Sequence, residues 1–114
     1  MFIVVRKAST YYGRITLTNE NYDGVTLSEN DKLIFSVKKS LKEDSNALIT
    51  KTLYHYDQLD GGYSFVLSTE ETDLPAGTYY YDVGLQCGNG EFYHVTMPNQ
   101  FIIRDSVARK EEKS

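Results

Sequence analysis

The sequence predicts an all-β domain, and three observations support this fold class. Apolar and polar residues alternate with a period of two along several short stretches, which is typical of half-buried strands. Turn-forming residues interrupt these stretches at short intervals, as they do in sandwiches and barrels. The chain also contains ten tyrosines and no tryptophan, and tyrosine is favoured on pleated, half-buried surfaces.

Four stretches carry the clearest alternation, and each predicts which side chains face the core. The longest, residues 77–86, places its odd-numbered side chains from Tyr79 to Leu85 on one inner face. The other three clear stretches are residues 13–18, 32–38 and 62–67, and the shorter candidates are residues 2–6, 48–54, 91–97 and 100–104. In residues 48–54, Lys51 falls on the apolar face, so we expect this strand to be bulged or at a sheet edge.

The connectors between these stretches have the composition of tight turns. Residues 88–90 read Gly-Asn-Gly between two strand candidates and predict a hairpin. Residues 68–74 offer one turn of helix, with Ser68 or Thr69 as its N-cap. Further turns are predicted at residues 21–24, 29–31 and 60–62.

A corner motif refines the fold class. Residues 74–79 place a leucine and a Pro/Gly connection, including Gly77, directly before Tyr79, which begins the longest strand. In Greek-key sandwiches a tyrosine at this corner donates its hydroxyl to the backbone of the preceding connection. The sequence therefore predicts an immunoglobulin-like antiparallel Greek-key β-sandwich of about seven to nine strands. We expect residues 1–105 to form it and the charged residues 106–114 to form a C-terminal tail.

The composition argues against several classes of protein. The chain has 12 basic and 16 acidic residues and a formal net charge of −4, which disfavours binding to nucleic acid or to an anionic membrane surface. No apolar run approaches the roughly twenty residues of a membrane span. Cys87 is the only cysteine, so no intrachain disulfide is possible. The first residues lack the pattern of a signal peptide, and we expect synthesis in a cytoplasm.

The residues that usually carry catalysis are few. His55, His94 and Cys87 do not have the spacing of a zinc site, and we expect no metal, no cofactor and no enzymatic activity. The acidic residues cluster in predicted loops, where solvated charge is far more common than a glycosidase-like carboxylate pair. Lys38 and Asp82 both point outward by alternation, and we expect a cross-strand ion pair if their strands are neighbours.

The order of four sequence blocks resembles a known family. The blocks are residues 31–38, 48–53, 62–67 and 72–86, and residues 101–104 resemble the last strand of that family. Together they resemble the immunoglobulin-like domain of phage tail and baseplate proteins, notably the N-terminal domain of upper baseplate proteins. The positions that match its motifs are Asp31, Lys38, Thr72, Leu74, Gly77, Tyr79, Tyr81 and Asp82.

The resemblance implies a structural protein of a phage or prophage particle. It implies contacts with other virion proteins, assembly as a homo-oligomer, and location in the virion after synthesis in the bacterial host cytoplasm. Tyr54, Tyr80 and Tyr93 are the candidate interface residues, because partly exposed tyrosines anchor protein interfaces. The alternative is a carbohydrate-binding module that stacks sugar rings on Tyr54, Tyr56 and Tyr93.

Overall fold

The fold is all-β, as the sequence predicts. The computed structural model describes residues 2–17, 26–42, 46–96 and 98–108. Within these ranges no helix has the length and apolar character needed to cross a membrane. The regular elements are β1 (Ile3–Arg6), β2 (Tyr11–Ile15), β3 (Lys32–Lys38), β4 (Ala47–Tyr54), a 3-10 turn (His55–Asp57), β5 (Gln58–Leu59), β6 (Gly62–Leu67), β7 (Gly77–Gln86), β8 (Phe92–His94) and β9 (Asn99–Arg104).

The described strands form two sheets. A six-stranded sheet has the order β1-β9-β7-β3-β4, with β8 also paired to β7, and a three-stranded sheet has the order β2-β6-β5. The prediction of a purely antiparallel arrangement is wrong at one pair, because β1 and β9 run parallel. Parallel neighbours need a long connection, and here β2 to β8 all lie between them in the chain. The six-stranded sheet is therefore mixed.

The core lies between the two sheets and is rich in aromatic rings. Phe35 of β3 and Phe65 of β6 approach across it, with ring centroids 4.6 Å apart. The predicted inner face of β7 is confirmed, since Tyr79 and Val83 are buried while Tyr81 and Leu85 pack against the core. The alternation predicted for β3 and β6 also agrees with their burial. The inter-sheet packing fixes which face of each sheet remains exposed.

The unusual lysine in β4 is explained by the strand's position. β4 is the edge strand of the six-stranded sheet, and its pairing with β3 shifts register between Val37 and Lys38. Lys51 points inward and its ammonium lies 2.8 Å from a carboxylate oxygen of Glu71. Both predicted features, an edge and an irregular register, are therefore present. An inward-pointing charge on an edge strand discourages unwanted strand pairing.

The connection between β6 and β7 contains a single hydrogen-bonded turn rather than a helix. The Ser68 amide donates to the Glu71 carboxylate at 2.9 Å, and the Glu71 amide donates to the Ser68 hydroxyl at 3.1 Å. This reciprocal pair is the capping arrangement that Ser68 predicts. Thr72 is fully buried, and its hydroxyl donates to the Ser9 carbonyl oxygen at 2.7 Å. The turn is thereby joined to the connection between β1 and β2.

The corner before β7 has the geometry that the sequence predicts. The Tyr79 hydroxyl donates to the Pro75 carbonyl oxygen at 2.6 Å. Lys39 directly follows β3, and its ammonium lies 4.4 Å from the centroid of the Tyr79 ring. Gly77 has φ 154°, a backbone conformation that favours glycine over other residues. Tyr79 therefore fixes the point where the chain passes from the smaller sheet to the larger.

Several element boundaries differ from those predicted. β2 begins at Tyr11 and ends at Ile15, although Leu17 beyond it is still buried. β8 ends at His94, earlier than predicted, although the Val95 amide still donates to the Val83 carbonyl oxygen at 2.8 Å. β5 has only two residues, which is too short for a periodic pattern. Thr18 and the turn predicted at residues 21–24 lie outside the described residues, as do residues 109–114 of the predicted tail.

Two carboxylates stabilise turns through backbone amides. Asp31 accepts hydrogen bonds from the Gly88 and Ser28 amides, each at 3.0 Å, and these bonds hold the pKa of its carboxyl below the ordinary value. Burial raises the pKa of Glu71, but Lys51 and the Ser68 amide outweigh this effect and leave its pKa lowered. Both side chains therefore stabilise the fold in their ionised form.

We expect Tyr79→Phe to lower the free energy of unfolding by about 1 kcal/mol, because it removes the hydrogen bond to Pro75 and keeps the ring. Urea denaturation followed by tyrosine fluorescence measures this change. Tyr12→Phe is the matched control, since Tyr12 is 77% exposed, and it should leave the midpoint unchanged. Equal midpoints for Tyr79→Phe and the native chain would contradict a stabilising role for the corner bond.

We expect the protein to lose stability as the pH falls below about 4, the ordinary range of carboxyl groups. A lowered pKa in the folded state means that Asp31 and Glu71 stabilise the fold above their unfolded pKa. This contribution disappears as the pH falls through the folded pKa. Asp31→Asn and Glu71→Gln should lower the urea midpoint at pH 7 and flatten its decline towards pH 3, whereas Asp60→Asn, in an exposed turn, should not. Parallel pH profiles for all variants would refute this assignment.

Candidate functional site

The candidate site is the face of the six-stranded sheet that points away from the core, called here the outer face. Side chains alternate along a strand and residues paired across strands share a face, so the register identifies its members. Val4, Tyr54 and Phe92 are exposed on this face by 42%, 37% and 50% respectively. Its members include Val4, Ile34, Ser36, Lys38, Tyr54, Tyr80, Asp82, Gly84, Phe92, His94 and Ile102.

Phe92 lies against the outer face because Gly84 leaves room for it. A Cβ atom at Gly84 would be 2.3 Å from Cζ of the Phe92 ring, so the ring packs directly on the β7 backbone. Its other neighbour is His94, at a centroid distance of 5.3 Å and an interplanar angle of 87°. A ring held in this way offers apolar area to a partner with little loss of side-chain freedom on binding.

A shallow cleft with charged side chains occupies the middle of the outer face. Its volume is about 270 Å³, and Leu41 and Pro98 contribute to its walls. Asp82 Oδ2 lies 3.8 Å from His94 Nδ1. The cleft is also lined by Ser36, Lys38, Tyr80, Asp82 and His94. The cleft therefore presents an ammonium, a carboxylate and an imidazole to solvent.

The ion pair expected between Lys38 and Asp82 is not formed. Their strands, β3 and β7, are neighbours, but the register places Lys38 opposite Tyr80 and Asp82 opposite Ser36. The two charges are diagonal neighbours on the same face, and no ion pair joins them in the described part of the chain. Asp82 instead approaches His94. The alternation in the sequence predicts that both side chains share a face, but it does not predict which residues of β3 and β7 lie opposite each other.

The predicted interface tyrosines do not share one surface. Tyr54 and Tyr80 belong to the outer face, whereas Tyr93 is paired with Leu85 and points to the opposite side of the sheet. The Tyr54 and Tyr56 rings stack on each other at 5.3 Å and 15°. The sugar-stacking platform of Tyr54, Tyr56 and Tyr93 is therefore not assembled. Phe92, which the sequence reasoning missed, lies on the outer face instead; Gly84 within a strand was the signal for a close approach.

A second cleft opens between the two sheets and has a volume of about 350 Å³. Its lining includes the Tyr11 and Tyr81 rings. Burial raises the pKa of Tyr11, and burial together with the nearby Tyr11 raises that of Tyr81. Both phenols are therefore held in their neutral form, so this cleft offers apolar surface and hydroxyl groups rather than a base.

Two of the described carboxylates form ion pairs, and the cysteine thiol lies in surroundings that keep it protonated. Glu71 pairs with Lys51, and Asp73 lies 3.1 Å from the Lys7 ammonium. Cys87 is half-buried, and desolvation together with the Asp31 and Glu91 carboxylates raises its pKa, which disfavours the nucleophilic thiolate. No group of three or more metal-ligating side chains occurs among the residues that the structure describes. Glu43 and Asp44, in a predicted acidic loop, lie outside those residues.

We expect Gly84→Ala to destabilise the protein by about 1–3 kcal/mol, the usual cost of forcing extra volume into a packed site. The new methyl group would displace the Phe92 ring from the outer face. A double-mutant cycle with Phe92→Ala, measured by urea denaturation, tests this contact. The methyl group should cost less in the double variant, where the ring is absent, and strictly additive effects would contradict direct packing between the two residues.

Comparison with known proteins does not assign a family to this geometry. No protein-family model matches the chain, and no curated protein matches it. The outer face and its residues therefore provide the structural basis for the functional proposal.

Proposed function

We propose that this chain is a non-enzymatic structural component of a phage or prophage particle, in its tail or baseplate, that acts through protein–protein contacts. The observation that carries the proposal is the outer face of the six-stranded sheet. It combines partly exposed apolar and aromatic side chains, such as Val4 and Phe92, with charged groups at its centre. Such a mixture is typical of interfaces, in which aromatic residues supply much of the affinity.

The finer fold assignment, an immunoglobulin-like Greek-key sandwich, belongs to the same proposal. The order of the strands supports it, because the chain passes from one sheet to the other after β1, β2, β4 and β6. The Tyr79 hydroxyl bonded to Pro75 supports it further, since this contact lies at the last of those crossings. The parallel pairing of β1 with β9 adds an edge strand to the larger sheet without altering the order of the others.

The resemblance to phage baseplate domains gains support from where its blocks fall. Residues 31–38, 48–53, 62–67 and 72–86 correspond to β3, β4, β6 and β7 with the connection before it, so they include strands from both sheets. Asp31, the first residue of the first block, joins two turns through the Ser28 and Gly88 amides. The resemblance also carries the proposal that the partners are other virion proteins and that the chain resides in the virion.

A rigid sheet face suits an assembly role on energetic grounds. Binding costs less when the contacting side chains are already ordered, because less conformational freedom is lost on association. Phe92 is held against Gly84, and Tyr80 is half-buried on the strand between β3 and β9. A partner would therefore meet a surface whose shape is largely fixed before contact.

The proposal is tested on particles purified from an induced lysate by density-gradient centrifugation and probed with an antibody against this chain. We expect the native chain to sediment with the particles. Phe92→Ser and Tyr54→Ser should reduce its incorporation several-fold without lowering the melting temperature of the purified protein. Tyr12→Ser is the matched control, because Tyr12 is an exposed tyrosine on the smaller sheet.

Two results would count against the proposal. The first is a native chain that is absent from purified particles although it is present in the same lysate. The second is saturable binding of host cell-wall polysaccharide that is lost in Tyr54→Ala and Tyr56→Ala, which would favour the carbohydrate-binding alternative.

A further inference from the structure

We propose that the outer face docks on the outer face of a second copy of this chain, so that Lys38 of each copy meets Asp82 of the other. The inference rests on the proposed assembly function and names the first partner of that surface. Its physical basis is the placement of two opposite charges that share a face but do not pair with each other. A second copy is the partner that fits this face, because a face with one positive and one negative charge is complementary to an identical face that is turned around.

The register defines the arrangement of the two charges. Lys38 lies opposite Tyr80, and Asp82 lies two residues further along β7. Diagonal neighbours of this kind have Cα atoms roughly 7–8 Å apart. A two-fold axis exchanges their positions if it lies between the two faces and crosses the line from Lys38 to Asp82 at its midpoint and at a right angle. Each ammonium is then placed over a carboxylate, and the same contact occurs twice in the dimer.

The groups around the charges suit burial. Ile34 and Tyr80 are half-buried beside the charged pair, and Val4 and Phe92 are partly exposed on either side of it. Leu41, which is 63% exposed, stands at the wall of the central cleft. Apolar area around a central charge pair provides the favourable free energy of association, while the charges select the orientation.

The size of the face is that of a weak contact between two copies. Strands lie about 4.8 Å apart and rise about 3.4 Å per residue, so the five strand positions and the length of β3 give a face of roughly 20 Å by 20 Å, or about 400 Å² of flat area on each partner. Weak and transient interfaces have this size, whereas standard stable ones bury about 800 Å² on each partner.

A charge-swap experiment tests the pairing directly. We measure the dimer dissociation constant by analytical ultracentrifugation for the native chain, K38E, D82K and the double variant K38E/D82K. Each single variant places like charges together at both symmetry-related contacts, so we expect dimerisation to weaken about tenfold or more. The double variant restores opposite charges and keeps the native net charge, so its dissociation constant should return to within a few-fold of the native value.

E29K is the matched control, since Glu29 is exposed in a turn away from the outer face and its reversal changes the net charge as D82K does. It should leave the dissociation constant unchanged. Near-ultraviolet circular dichroism of the tyrosines verifies that each variant folds. Raised salt should weaken the native dimer, because it screens the attraction between Lys38 of one copy and Asp82 of the other.

Three outcomes would overturn the inference: a native chain that remains monomeric at millimolar concentration, a double variant as weak as the single ones, or E29K weakening the dimer as much as D82K. A monomeric native chain that still sediments with purified particles would refute self-docking and leave the proposed assembly role standing. A chain that is absent from purified particles but forms a charge-dependent dimer would refute the proposed assembly role and leave self-docking standing.

Discussion

The connection between β6 and β7 is the constraint on which the remaining structure depends. It must carry the chain from the smaller sheet to the larger while leaving no polar group unpaired in the interior. Thr72 joins it to the β1–β2 connection, Glu71 joins it to edge strand β4, and Tyr79 closes it by bonding back to Pro75. Lys7 adds a fourth link, since its ammonium donates to the Leu74 carbonyl oxygen at 3.0 Å. These bonds fix the start of β7 relative to both sheets.

The position of β7 then determines the rest of the larger sheet. β3 pairs along one side of it, and β9 and β8 pair in turn along the other. Its odd-numbered side chains seal the core, so its even-numbered ones must form the outer face. The same ten residues therefore provide both the stability of the domain and the centre of its proposed interface. A change in the register of β7 would disturb both at once.

The sequence predicted those parts of the fold that depend on local pattern. The limits of β3, β6 and β7 follow from period-two alternation, and the corner bond follows from the Pro/Gly connection before Tyr79. The outer face was only partly predictable. Which residues lie opposite one another depends on pairing between distant strands. Neither the diagonal placement of Lys38 and Asp82 nor the opposite orientation of Tyr93 could therefore be predicted from the sequence alone. Phe92 was missed for the same reason, because its contact with Gly84 joins two strands.

In the proposed interface, the central charges of the outer face restrict how it associates. A wholly apolar sheet face would bind other apolar surfaces in many orientations, which favours aggregation. Lys38 and Asp82 make any orientation that leaves them buried and unpaired costly, because the desolvation of each charge is then not compensated. Only an orientation that brings opposite charges together avoids this cost. In the proposed interface the charges would thus select partner and register, while the exposed Phe92, Tyr54 and the surrounding apolar groups would supply the free energy of binding.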